Sequence, residues 1–383
     1  MEKSKNRQPA VELLRLIGCI LVIMAHAQIY PIVEEKMVGG RLLLSTIIAD
    51  DVPIFFLITG FFFFGRVLSD NDVLSAYIYK IKTFFINIWI PSVIFQIIYC
   101  AYGVKRFGQD WSALWGFLFR QSPGNHLWFV SAYLQFVILF PLLAYICRDE
   151  KNRNIIRRIV LLISIAGSLI VDFEYALGKA MMDKDTQFGL SYYLIFLLLG
   201  YELSVIIPKM KERIPYTALI GAAIYVSGVI VKYALQMSMF NKFNVYENRF
   251  RWLQCTPCFF TAAGLFIFIY SFNDSLVKHR GASGIIDFLG SKMFYVFLAH
   301  QLVIYETMGL RDKILELNKG GMVLGYVLLY YIEYVAVVFA ISLAVAFVCE
   351  MIYNYAVRQW LYKLFLKNKR VRVQDGDEEQ EEN

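Results

Sequence analysis

The sequence has little charge and no long polar segment. Asp, Glu, Lys and Arg make up 18% of its 383 residues, against about 25% in typical soluble domains. The polar stretches between apolar segments are short, and none reaches the roughly 50 residues that an independent soluble domain needs. A separate soluble domain is therefore not expected, and any chemistry is expected within or beside a membrane.

Histidine and cysteine are also scarce. The four histidines are far apart in the sequence and form no local ligand pair, so no metal site is expected. The six cysteines are scattered, and the lone CxxC motif "CTPC" (255–258) lacks a thioredoxin-like context, which favours packing thiols over a redox pair. The first apolar segment has no small-residue cleavage site, so we expect it to be retained rather than removed as a signal peptide.

Apolar residues are abundant: they make up 58% of the chain, and the mean hydropathy is +0.52. Apolar windows of about 20 residues, enough for a helix to cross roughly 30 Å of hydrocarbon, recur along the chain. Ten such windows begin near residues 11, 42, 82, 127, 156, 188, 215, 253, 285 and 321. Because the windows are continuous rather than alternating, they predict an all-α fold, a polytopic bundle of about ten transmembrane helices, and not a barrel.

The net charge of +7 does not indicate nucleic-acid binding, because the basic residues lie between apolar segments and not on one compact face. Their distribution instead predicts the orientation of the chain in the membrane. The loop "CRDEKNRNIIRR" and the tail "KLFLKNKRVR" place more of them on the side of the N-terminus, so both termini are expected in the cytoplasm. The expected organisation is an N-terminus (1–8), a membrane domain (9–355) and a basic, then acidic tail (356–383) that is disordered at its end. We expect a multi-pass protein of the cytoplasmic membrane.

Ionisable residues within a span are costly and by default mark a site, a relay or a pathway. The stretch "RLIGCILVIMAH" places Arg15 and His26 in the first helix, after Glu12. Eleven helical steps are about three turns, so both side chains share one face, roughly 16 Å apart along the axis. Two simpler explanations stay open: Arg15 snorkels to the inner headgroups, and His26 is a core residue bonded to a neighbouring helix.

The second helix carries paired carboxylates, Asp50 and Asp51, ahead of Pro53. At the outer end of the helix they are either solvated charges or, if one turns inward, a partner that orients His26 and stabilises its protonated form. Gly60 and Gly65 are expected to permit close helix approach rather than to contact a ligand.

Further polar candidates fall on the predicted outer side. His126 and Trp128 open the fourth helix in "NHLWFVSAYLQ", where a membrane-interface belt is the ordinary explanation for a tryptophan. Tyr295 and His300 lie in the apolar run "KMFYVFLAHQLVI" of the ninth helix. Arg249 belongs to the cluster "YENRFR", which either binds a polar acceptor or caps the eighth helix.

Together these motifs resemble the acyltransferase type 3 family, bacterial membrane proteins of ten helices that move an acyl group, usually acetyl, onto carbohydrates and related cell-surface molecules. The matched segments, in family order over about residues 8 to 350, are "ELLRLIGCILVIMAHA", "VPIFFLITGFFF", "KIKTFFINIWIPSVIFQIIY", "HLWFVSAYLQFVILFPLL", "YYLIFLLLGYEL" and "GSKMFYVFLAHQLVI". Glu12 and Thr59 replace the aspartate and serine that are common in the family, and they keep the charge and the hydroxyl. We expect a stand-alone membrane domain.

The resemblance implies acetyl-CoA or another acyl-CoA as co-substrate, no bound cofactor, and a hydroxyl of a surface carbohydrate or lipid-linked sugar as acceptor. His26 is expected to take the proton of that hydroxyl or, in a less favoured variant, to carry the acyl group. Basic residues are expected to bind the donor, namely Arg15 with Lys80, Lys82, Arg157 or Arg158. The further catalytic candidates are Asp50, Asp51 and His300, and the acceptor-side candidates are His126, Trp128, Tyr295 and Arg249.

The competing function is export of a glycan or lipid-linked sugar, with the same polar residues lining a translocation path. The sequence has no internal repeat of the kind expected for many secondary transporters, which weighs against export. A non-catalytic scaffold is disfavoured because it has little reason to keep buried polar groups.

Overall fold

The structure is a computed structural model, and nearly all of the chain that it describes is helical. It describes residues 8–27, 32–33, 35–49, 51–63, 70–112, 114, 125–147, 151–178, 190–244, 253–319 and 324–366. Helix formation is expected for apolar segments in lipid, where every backbone N–H and C=O must find a partner within the chain.

In chain order the helices are α1 (Pro9–Ala27), α2 (Gly39–Ile48), α3 (Asp51–Phe63), α4 (Asp70–Phe84), α5 (Ile90–Phe107), α6 (Trp128–Ile138), α7 (Phe140–Ile146), α8 (Lys151–Ala176), α9 (Tyr192–Arg213), α10 (Thr217–Phe243), α11 (Thr256–Ser271), α12 (Asn273–Lys278), α13 (Arg280–Glu306), α14 (Met308–Lys319), α15 (Leu324–Tyr353) and α16 (Gln359–Leu366). Shorter elements lie between them: β1 (Ile32–Val33) paired antiparallel with β2 (Lys36–Met37), a 3-10 turn (Asn125–Leu127), and π-helical segments at Phe85–Trp89 and Asn354–Arg358.

Nine helical segments of the described chain are long and apolar enough to cross a membrane, and the pair α6 and α7, bent by 63°, makes a tenth. They coincide with the ten predicted windows, so the prediction of a polytopic helix bundle is confirmed. Apolar side chains such as Leu162, Phe173 and Ile230 are about 60% exposed or more on the outside of the bundle. Lipid is the solvent that such a surface requires, and the chain is a multi-pass membrane protein.

The first two spans form the centre of the bundle, where α3 crosses α9 at close range. A Cβ on Gly60 would lie 1.9 Å from the main-chain oxygen of Leu197, and one on Gly200 would lie 2.2 Å from that of Leu57. Only glycine fits at these two positions without moving a backbone. The prediction for Gly60 is confirmed, whereas Gly65 lies outside the described residues.

Helices α1 and α13 run side by side in the same direction. The Cβ position of Gly290 faces Glu12, the Cys19 thiol donates to the Met293 carbonyl at 3.8 Å, and the rings of His26 and His300 meet further along. We call the end of the bundle at which α1 begins the near end and the opposite end the far end.

The second span is broken where the sequence has its carboxylates. The span runs from Gly39 to Phe63, and α3 begins within it at Asp51, whose main-chain oxygen would lie 3.3 Å from a Cβ on Gly18. Asp51 is thus the first residue of α3, as predicted, although it lies near the middle of the second span. The reason is Pro53, which is tolerated in the first turn of a helix and so favours a new helix start just before it. Asp51 lies between the levels of Arg15 and His26.

Candidate functional site

Three of the four histidines meet inside the bundle. His26 comes from α1, His126 from the 3-10 turn before α6, and His300 from α13. The ring centroids of His26 lie 6.1 Å from His126 and 5.2 Å from His300, and those of His126 and His300 lie 4.9 Å apart. We call these three residues the histidine cluster.

Hydrogen bonding fixes the tautomer of one ring and leaves nitrogens of two rings available. His300 is fully buried, and its Nδ1 lies 2.6 Å from the Phe297 carbonyl oxygen, which can only accept. Nδ1 of the neutral ring therefore carries the proton, and Nε2 carries the lone pair. Within the described chain, Nε2 of His300 and both nitrogens of buried His126 have no hydrogen-bond partner. Since buried polar atoms normally have one, these nitrogens are candidates for contact with a substrate.

Two tyrosines hold the surroundings of the cluster in place. The Tyr99 hydroxyl donates to the Leu298 carbonyl at 2.9 Å, and its ring lies 5.2 Å from that of His126, edge to face. The Tyr331 hydroxyl donates to the main-chain oxygen of Met24, two residues before His26. Neither tyrosine was predicted, because each acts from a helix that is distant in the sequence.

Arg15 lines two neighbouring cavities, each of about 260 Å³, that share Arg15, Phe55 and Phe129. The first cavity lies between α1, α3, α6 and α13 and is otherwise lined by Val52, Gly290, Ser291, Met293, Phe294 and Phe297. The second is otherwise lined by Ile58, Thr59, Phe62, Phe63, Lys80 and Tyr133. The structure thus brings Lys80 and Arg15, two of the predicted donor-binding residues, to one cavity.

The charged groups of Arg15 and Lys80 each contact neighbouring side chains. Arg15 forms an ion pair with Glu12, yet 35% of its side chain is exposed while Glu12 is buried. The Lys80 ammonium lies 4.5 Å from the ring centroid of Phe63 and 4.9 Å from that of Phe140, distances typical of cation–π contacts. Both cations can therefore meet an anion that enters the cavity.

Phe297 lies between the first Arg15 cavity and the histidine cluster, and Phe129 packs against it. Phe129 and Phe297 line the first cavity, and the Phe297 ring also lies 5.3 Å from His126 and 5.7 Å from His300. No histidine is among the described residues that line either cavity. The Arg15 cavity and the histidine cluster are therefore adjacent compartments, with one layer of aromatic rings between them.

The structure does not bring Arg157 and Arg158 to these cavities. Arg157 is 1% exposed and donates through Nε to Glu202 at 2.8 Å and through NH1 to the Ile146 carbonyl at 3.1 Å. Arg158 Nε donates to the other oxygen of Glu202 at 3.1 Å. Lys82 donates to the main-chain oxygen of Phe365 at 3.0 Å. These contacts join helices to one another.

Tyr295 and Trp128 also lie apart from the histidine rings. Tyr295 faces Tyr353, with ring centroids 6.5 Å apart. Trp128 packs within the bundle, 5.8 Å from the Tyr193 ring and 6.1 Å from that of Phe56.

Asp50 and Arg249 lie outside the described residues. The six cysteines are free, and those of the CxxC motif are fully buried. In the part of the chain that the structure describes, no three His, Cys, Asp or Glu side chains are arranged to hold a metal ion.

Comparison with known proteins gives one result. The model of the acyltransferase type 3 family, described as an acyltransferase domain, matches residues 8–351, nearly the whole chain. No curated protein and no solved structure matches the chain.

Proposed function

Since this chain belongs to the acyltransferase type 3 family and is a membrane acyltransferase, we propose that it moves an acetyl group from acetyl-CoA to a hydroxyl of a cell-surface carbohydrate or lipid-linked sugar. The observation that carries the proposal is the adjacency of a cavity lined by Arg15 and the histidine cluster, whose His126 and His300 are buried, with the Phe297 ring between them. A CoA thioester has a polyanionic end and a long, nearly neutral arm, and these match the two compartments.

The donor enters from the near end of the bundle. Arg15 and Lys80 contact its phosphates or the pantetheine carbonyls, since a guanidinium suits bidentate contacts and an ammonium acts as a point charge. Because Arg15 and His26 are eleven residues apart on one face of α1, an arm of about 16 Å connects them. The near end is the cytoplasmic side in this proposal, because CoA thioesters are made in the cytoplasm.

His26 acts as the general base. The acceptor oxygen attacks the thioester carbonyl, its proton passes to a nitrogen of His26, and a C–O bond forms. The C–S bond then breaks, and the proton passes from His26 to the thiolate of CoA. Such proton transfers contribute about 10² to 10⁴ in rate.

The other two histidines divide the remaining tasks. His300 can only accept through Nε2, because its Nδ1–H is bonded to Phe297, and this Nε2 has no partner in the described chain. Once substrate is bound, it accepts a hydrogen bond from the N–H of His26, whose ring centroid lies 5.2 Å away, and orients that ring. His126, with neither nitrogen bonded to the described chain, donates its N–H to the oxygen of the carbonyl under attack. Asp51 remains a candidate for balancing positive charge that develops on His26.

Purified protein in liposomes tests the function. Radiolabelled acetyl-CoA and a cell-envelope glycan extract are added on opposite sides, and label in the glycan is followed over time. Acetyl incorporation that depends on the protein supports the proposal. Movement of glycan across the bilayer without incorporation supports an exporter instead.

A further inference from the structure

The aromatic layer between the two compartments consists of two rings in contact. Phe129 and Phe297 have centroids 5.9 Å apart at an interplanar angle of 64°, an edge-to-face arrangement. Phe129 is held from behind by Phe56, with centroids 5.0 Å apart. We call Phe129 and Phe297 the aromatic barrier, and we propose that it sets the length of the acyl group that the enzyme accepts, excluding chains longer than about two carbons. This inference rests on the proposed function.

Space on the histidine side of the barrier is small. The three histidine centroids are 4.9 to 6.1 Å apart, which is the separation of aromatic rings in contact. His126, His300 and Leu127 are almost completely buried, whereas His26 is partly exposed. Among the described residues the histidine side is therefore open beside His26, and in the proposed reaction the acceptor takes that place. Rings in contact leave no free volume between them, so a carbonyl and its methyl group have to lie against the rings, and each further carbon has to displace a packed side chain.

Space on the cation side is taken by the donor itself. The first cavity measures about 260 Å³, below the roughly 300 to 1,000 Å³ of common ligand sites. In the proposed pose the pantetheine arm fills the first cavity, and the phosphates of the donor reach the second cavity at Lys80, so the tail of a longer acyl chain cannot fold back on the cation side. It would have to lie between the two barrier rings and push them apart.

Separating the rings is costly because each is packed on both sides. Phe297 contacts the imidazoles of His126 and His300, so moving its ring also moves the groups that act on the thioester. A slightly longer acyl chain would therefore displace the thioester carbonyl carbon from its position beside the histidines. Hydrophobic pockets discriminate about tenfold or more for each methylene group, and a barrier backed by catalytic rings should reach at least that.

Binding of CoA thioethers to purified protein in lipid nanodiscs tests the inference. The probes are S-ethyl-CoA and S-butyl-CoA, which cannot transfer their alkyl groups, with empty nanodiscs as the baseline for partitioning into lipid. The wild type is expected to bind S-ethyl-CoA at least about tenfold more tightly than S-butyl-CoA. Phe297→Ala is expected to bring the two affinities within about twofold, because removal of the ring opens the layer.

Phe294→Ala is the matched control. Phe294 lines the same cavity one turn earlier in α13, and the described ring that it contacts is that of Tyr295. Its removal enlarges the cavity without opening the barrier, so the ratio of the two affinities should change much less than in Phe297→Ala. Phe297→Leu, which keeps more of the volume, serves if Phe297→Ala does not fold, and it should give an intermediate ratio.

The outcomes separate this inference from the function on which it rests. Equal affinity of the wild type for both probes, or equal relaxation by Phe294→Ala and Phe297→Ala, overturns the role of the barrier while leaving acyl-CoA as the donor. If the wild type binds neither thioether nor CoA itself, the donor assignment fails, and the barrier proposal fails with it.

Discussion

The rings of His126 and His300 meet edge to face, with centroids 4.9 Å apart and an interplanar angle of 72°. One ring comes from a short turn and the other from the last two turns of a long helix, and both are buried. Burial of imidazole nitrogens without partners is unfavourable, and the cluster holds three such nitrogens, which is the reason that we propose a substrate site there.

Removal of the acceptor nitrogen of His300 should stop the reaction without unfolding the protein. In His300→Asn the amide N–H can still donate to the Phe297 carbonyl, but nothing replaces Nε2. We expect the turnover rate to fall by at least about 100-fold, with an unchanged melting temperature in detergent. His279→Asn is the control, because Nδ1 of His279 contacts the Ser275 carbonyl at 2.8 Å at an exposed position. Equal activity of His300→Asn and the wild type would remove His300 from the mechanism.

Loss of the Arg15 guanidinium should weaken use of the donor more than it slows chemistry. Arg15→Ala is expected to raise the KM for acetyl-CoA by about tenfold or more, in line with the 1.5–3 kcal/mol of a charged hydrogen bond, and to lower kcat less. Lys82→Ala is the control, because Lys82 contacts the chain near Phe365 and lines neither cavity. A KM that rises for Lys82→Ala and not for Arg15→Ala would contradict the placement of the donor.

Arg157 is expected to act on stability rather than on donor binding. Arg157→Ala leaves Glu202 buried with only the more exposed Arg158 as partner, which should cost about 3–5 kcal/mol of unfolding free energy. Lys211→Ala, which breaks the more exposed pair with Asp274, should cost at most about 1 kcal/mol. Chemical denaturation in detergent measures both values. If Arg157→Ala is as stable as the wild type and only its KM for acetyl-CoA rises, the donor-binding role predicted from the sequence is correct.

Gly290 should tolerate no side chain, because Glu12 occupies the space beside it. A Cβ there would lie 2.4 Å from Glu12 Oε2 and 3.1 Å from its Cα, so Gly290→Ala must displace α1 or α13. We expect a loss of about 1–3 kcal/mol of unfolding free energy, together with weaker donor binding through the partner of Glu12, Arg15. Gly281→Ala in the same helix has no neighbour within 4 Å and should be neutral. Equal melting temperatures of the two variants would show that this contact is not tight.

Features that depend on the spacing of residues within one segment could be predicted from the sequence. The ten spans follow from continuous apolar windows, and the common face of Arg15 and His26 follows from eleven helical steps. The same rule could have separated Tyr295 from His300, because five residues correspond to about 140° around a helix. It could also have identified Phe297, one turn before His300 on the same face.

Contacts between distant elements could not be predicted in this way. Glu202, which pairs with Arg157, lies on another helix. The sequence therefore did not reveal this ion pair, and Arg157 was predicted to bind the donor. The turn that carries His126 reaches the cluster through packing against Tyr99, which no local pattern encodes. The helix break before Asp51 was signalled by Pro53, but its depth in the bundle depends on the contact with Gly18.

The most direct test of the account is acetyl transfer by His26→Ala, measured beside its donor binding. Purified wild type and variant in nanodiscs are given radiolabelled acetyl-CoA and envelope glycan, and S-ethyl-CoA binding is measured on the same samples. If His26 is the general base, His26→Ala should bind S-ethyl-CoA as the wild type does and transfer no acetyl above background. Acetyl incorporation by His26→Ala at a rate near that of the wild type would contradict it.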